Sequence, residues 1–177
     1  MKIMLITVVI VLACQLIVYI LYKIINRYAD HIRYLTFIED LVLDRRDNLI
    51  LRLSSDFWFK SFKKRADPKT INLVLRKLGH FIKESGSMES RPYVFGQALG
   101  NLSVMNKKCE VRAIRYSSQM VMKTKNAHFI ISLMETNRKI EGKHFVKLVR
   151  TLPEEAKNEL IEFLSNDPSA RRLLVLL

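Results

Sequence analysis

VVIVLACQLIVYILYKII, residues 8–25, decides how the rest of the chain is read. The uncharged run around it extends from Ile3 to Tyr22, twenty residues interrupted only by Thr7 and Gln15. At 1.5 Å per residue, a helix of that length spans about 30 Å, the thickness of a bilayer's hydrocarbon core. Lipid offers no partner to free backbone amides and carbonyls, so a spanning segment of this kind has to be helical. Tyr19 and Tyr22 stand near one end, followed by Lys23 and Arg27, the order expected where rings and long basic side chains meet headgroups.

Three fates compete for this segment. A cleavable secretion signal has a shorter apolar region followed by small residues at a cut site, whereas here LIVYILY runs on with no such site after it. Val11-Leu12-Ala13 before Cys14 loosely resembles a bacterial lipoprotein cleavage box. However, the chain stays uncharged for eight positions after Cys14, where a lipidated protein needs a polar tether. An uncut anchor is the expectation. Only Lys2 and the amino terminus are positive before it, while Lys23, Arg27, Arg33, Arg45, Arg46 and Arg52 follow it. The positive-inside rule then places the N-terminus outside and the C-terminal body in the cytoplasm, in a single-pass protein of the cell's inner (plasma) membrane.

Three segments follow from this: a transmembrane anchor over 1–22, a juxtamembrane helix and connector over 23–55, and a basic helical cytoplasmic domain over 56–177. After Tyr22, 29 bases face 17 acids, a surplus of twelve positive charges that favours anionic partners. Only five glycines and four prolines argue for long helices over a turn-rich β architecture. The expected fold class is mainly α, with room for a small β element around 108–134. There KCEVRAIRY partly alternates, and HFIISLM suits a strand or a buried helix.

Beyond the anchor, Ile25, Tyr28, Ile32, Leu35, Ile38 and Val42 recur every three or four residues, and nothing breaks a helix before Asp44. The first expectation is a rod whose stripe packs on its own domain; the near-heptad spacing makes a homo-oligomer the alternative. Asp67-Pro68 reads as the cap and first turn of a helix with Ile71, Val74, Leu75, Leu78, Phe81 and Ile82 inward, Arg76, Lys77 and Lys83 outward, and Ser85-Gly86-Ser87 as its stop. Gly96 and Gly100 form a Gly-x-x-x-Gly that, beside Gln97 and Asn101, reads as close packing or turns and not as a membrane-helix motif. Ser54-Ser55 before Asp56 reads as a helix cap. Helices after Gly142, Pro153 and Pro168 close the chain, and the apolar tail Leu173 to Leu177 is expected to dock on the core.

Candidate chemistry centres on SSDFWFKSFKKRADPKT, residues 54–70. Trp58, Lys60, Phe62, Lys63, Lys64 and Arg65 interleave rings with bases beside the anchor. Such a mixture suits contact with anionic headgroups or with an acidic protein partner. The same cluster with Lys107, Lys108, Arg112 and Arg115 would suit nucleic acid, with rings stacking on bases and lysines meeting phosphates. His31, His80, His128 and His144 are isolated, and Cys14 and Cys109 have no metal-type spacing. No nucleophile elbow, phosphate loop or dinucleotide fingerprint occurs, so neither a catalytic residue nor a cofactor is assigned.

The expected function is a membrane-anchored interaction protein that binds or blocks a partner at the inner face of the bilayer, with a membrane-tethered nucleic-acid binder as the alternative. In layout this is similar to small phage-encoded membrane proteins that interfere with incoming DNA.

Overall fold

The computed structural model describes residues 2–84, 91–168 and 171–176. Helix α1, Lys2–Val42, runs without a break from the uncharged stretch into the body, a rod about 60 Å long. It is long and apolar enough to cross a membrane, and none of its most apolar window is covered by the rest of the chain. Eight more helices follow among the described residues: α2 (Arg46–Ser54), α3 (Asp56–Arg65), α4 (Pro68–Glu84), α5 (Pro92–Ser103), α6 (Lys107–Thr124), α7 (His128–Thr136), α8 (Gly142–Val149) and α9 (Glu154–Asn166). A 3-10 helix, Arg171–Leu176, ends the described chain.

Among the described residues there is no strand, which corrects the small β element expected around 108–134. The apparent alternation in KCEVRAIRY belongs to α6, whose buried Cys109, Ala113, Ile114, Ser117, Met120 and Val121 recur at helical spacing. HFIISLM is α7, apolar nearly all round because its face is shared between α5, α6 and α9. A fully enclosed helix and a fully enclosed strand look alike in sequence.

Helix α5 is the axle of the fold and packs on α2, α6 and α7. Gly96 and Gly100 turn towards α7. A Cβ on Gly100 would stand 2.5 Å from Thr136 Cβ, and one on Gly96 would stand 2.7 Å from Ser132 Cβ. The two backbones therefore meet as the spacing of the glycines suggested. Phe95 meets Phe129 edge-on across the same seam, with centroids 6.0 Å apart. Asn101, buried at the far side of α5, donates to the Leu53 carbonyl at 2.8 Å and ties α5 to the end of α2.

Helix α1 joins the core through a face other than the expected stripe. Phe37 and Leu41 are buried, and Phe37 meets Phe62 of α3 with centroids 4.4 Å apart and the rings tilted by 43°. Asp40, 1% exposed, is bound by the Arg52 guanidinium, which in turn lies 4.0 Å over the Trp58 ring. Asp30 accepts from Ser61 Oγ at 2.8 Å and from Lys64 Nζ at 2.7 Å, clamping α3 to α1. By contrast Ile25, Tyr28, Ile32, Leu35 and Val42 are exposed, so the expectation that this stripe packs on its own domain is overturned; only Ile38 of the set is partly covered.

Local signals at helix ends are mixed. Asp67 caps α4 as expected, accepting from the Thr70 amide at 2.6 Å. Ser55 occupies the N-cap of α3 but makes no capping bond with its side chain, and Ser54 Oγ donates to the Leu51 carbonyl instead. The Ser85-Gly86-Ser87 stop lies outside the described residues. In the tail, Leu173 is buried and Leu174 partly so, while Val175 is 87% exposed and Leu177 lies outside the described residues.

Candidate anion-binding groove

Helices α4 and α6 lie side by side and leave a groove of about 700 Å³ between them. On α4 the apolar face enters the core, which turns Lys69, Arg76 and Lys83 to the groove at near-helical intervals of seven. On α6 the inward set at Cys109, Ala113 and Ser117 leaves Lys108, Arg112 and Arg115 facing them. Asn106 starts α6 by accepting from the Cys109 amide at 2.9 Å, which fixes where this second row begins.

Between the rows the floor ties the two helices together. Tyr116 crosses from α6 and donates to the Leu75 carbonyl of α4 at 2.9 Å. Gly79 makes room for it, since a Cβ there would stand 2.7 Å from the Tyr116 hydroxyl. His80 adds an imidazole to the walls beside the six lysines and arginines, and among the described residues no carboxylate lines the groove.

Several bases outside the groove are taken up by carboxylates. Arg33 and Lys64 hold Asp30, Arg52 and Arg45 hold Asp40, Lys77 holds Asp44 and Arg46 holds Glu84. Lys107, one residue before the groove, is drawn to Glu141 at 2.9 Å. That hydrogen bond raises the lysine's pKa and holds the Glu141 carboxyl below its ordinary value. None of the six groove bases has such a partner within 4 Å among the described residues. Six like charges facing one trough focus a positive field there, and an anion entering it relieves their mutual repulsion.

The sequence-predicted cluster is split by the fold. Phe62 is 1% exposed and belongs to the core with Phe59, so its ring faces inward. Trp58 is half-buried under Arg52. Lys64 is engaged with Asp30, and Arg65 reaches back to the Arg27 carbonyl at 3.2 Å and to His31 Nδ1 at 3.3 Å. Lys60 and Lys63 remain exposed. Of the second set, Lys108, Arg112 and Arg115 enter the groove, whereas Lys107 turns to Glu141. Lys69, Arg76 and Lys83 complete the site. Their even spacing on α4 was the available signal, but their pairing with α6 depends on tertiary contact.

Other chemistry finds little support. Burial pushes the Cys109 thiol above its ordinary pKa, the opposite of what an activated nucleophile needs. The four histidines sit on different elements, His128 near Glu159 and His144 near Glu141, and no three metal-type side chains converge among the described residues. Comparison with known protein families, curated proteins and solved structures returns no match.

Proposed function

We propose that this chain is a single-pass membrane protein of the inner (plasma) membrane whose basic domain, held at the cytoplasmic face, binds an acidic partner through the α4–α6 groove and so retains or blocks it at the bilayer. The observation that carries the reading is the groove itself: six bases without ion-pair partners among the described residues, over a floor tied by Tyr116 to the Leu75 carbonyl, in a body joined to an apolar helix.

The position of the groove supports action close to lipid. Arg65, at the end of α3, bonds to Arg27, which lies about 8 Å beyond Tyr22 along α1. Helix α4 starts three residues later and ends beside Asp44 and Arg46, so it runs in the same sense as α1. With residues 3–22 in the membrane, the groove opens near the headgroups and leads outward. Lys60 and Lys63 then serve anionic headgroups, each contributing about 1 kcal/mol if it sits at the surface. Contact with lipid orients the domain; the groove takes the partner.

A specific observation keeps nucleic acid as the second reading. The α4 row runs roughly 20 Å along its helix and the α6 row about 10 Å along its own, long enough together to follow a few phosphates of a single strand. The test is binding of the full chain in neutral-lipid nanodiscs to a polyglutamate peptide and to a single-stranded oligonucleotide across a salt series. Binding of the peptide, lost on Arg112→Ala with Arg115→Ala, supports the first reading. Selective binding of the oligonucleotide, with a log–log salt slope that flattens by about 0.7 per neutralised contact, selects the second. Indifference to both at low salt overturns the groove as a site.

A further inference from the structure

We propose that α1 pairs in parallel with a second copy of this chain in the same membrane, through the stripe formed by Ile25, Tyr28, Ile32, Leu35 and Val42. With residues 3–22 in the membrane as proposed above, Ile25 and Tyr28 stand at headgroup level, and Ile32, Leu35 and Val42 lie farther out, where they face water. At 100° per residue it occupies the side of α1 opposite Asp30, Tyr34, Phe37 and Leu41, the residues that hold the chain's own domain. Tyr28 is 67% exposed and Leu35 52%. The helix thus carries two apolar faces on opposite sides, and its own core covers one of them.

Three features identify a second copy as the occupant. First, the spacing of three and four is that of knobs and holes between parallel helices, and carried back one repeat it reaches Leu21 and Val18 within the anchor. Second, copies sharing a bilayer are held at equal depth and in the same sense, which places each stripe against its own counterpart in register. Third, the five side chains leave on the order of 600 Å² uncovered per copy, so a pair hides at most about 1,200 Å², which reaches the lower end of stable specific interfaces before any contact inside lipid is added. The domains lie outward on both sides and leave the seam free. Glu39 shares this side and interrupts the repeat, but Arg45 lies 3.3 Å from its carboxylate and offsets the charge. The pairing is independent of what fills the groove.

Single cysteines in the full chain test this in native membranes, in a Cys14→Ser background that leaves Cys109 buried. On mild oxidation, Tyr28→Cys and Leu35→Cys are expected to give dimer at least ten-fold above Lys63→Cys, an exposed position on α3. Adding Ile32→Asp to Leu35→Asp, both at exposed positions that leave the core intact, is expected to abolish the Tyr28→Cys product. Equal yields at all three positions, yield at Lys63→Cys alone, or a Tyr28→Cys product that survives the two aspartates would each overturn the pairing.

Discussion

Gly100 illustrates how much one missing atom can matter in this chain. A methyl group there would meet Thr136 Cβ at 2.5 Å and the Leu133 carbonyl at 2.9 Å, so α5 and α7 must part. Gly100→Ala is expected to cost about 1–3 kcal/mol in a denaturation series on the detergent-solubilised chain, despite alanine's better helix propensity. Asp30 makes a second residue-scale case. The hydrogen bond from Lys64, then that from Ser61, holds its carboxyl below the ordinary 3.8. As pH falls below about 4 the unfolded carboxyl takes its proton first. The clamp between α1 and α3 is therefore at full strength above that pH and is lost as pH falls through the lower, folded value. Asp30→Asn is expected to flatten the acid limb of stability between pH 5 and 2, read as denaturation midpoints. An unchanged limb would remove Asp30 from the clamp. The glycine spacing and the Asp67 cap were legible in sequence because both are local rules. The Asp30 clamp was not, because its partners lie some thirty residues away on another helix.

At the scale of elements, α1 was readable as a helix and misread in its orientation. Its sequence offers two apolar stripes, and periodicity cannot say which one a domain will claim. The buried choice is set by α3, where Phe62 meets Phe37, and by Arg52, which needs Asp40 on the same side. Phe37→Ala is expected to destabilise the body by about 3–5 kcal/mol, whereas Leu35→Ala should change it by less than about 0.5 kcal/mol in the same denaturation measurement on chain diluted in detergent to the monomer, where the pairing seam is open. Similar losses at both positions would contradict the two-faced helix. The α4–α6 groove was half legible: each basic row shows in its own helix, but the rows are separated in sequence by α5, which packs chiefly on α7, α2 and α6. The basic-aromatic cluster at 57–65 drew attention for its composition, yet two of its rings were recruited to the core. Burial of Phe59 and Phe62 depends on which residues α1 turns towards them, a tertiary fact.

For the whole molecule, the surplus of positive charge has two consequences that pull apart. Bases in the groove repel one another, so Arg112→Ala with Arg115→Ala is expected to leave stability unchanged or slightly raise it at low ionic strength, while weakening capture of an anionic probe at least ten-fold. A thermal melt and a binding isotherm on one sample read both effects, and a variant that lost stability would show those arginines to be structural. The account as a whole depends on where the basic body stands relative to lipid. Protease added to intact cells that express the full chain tests this most directly. The body is expected to survive untouched until the cells are opened or the membranes inverted, and then to be cut; digestion of the C-terminal portion from outside unbroken cells would contradict the account.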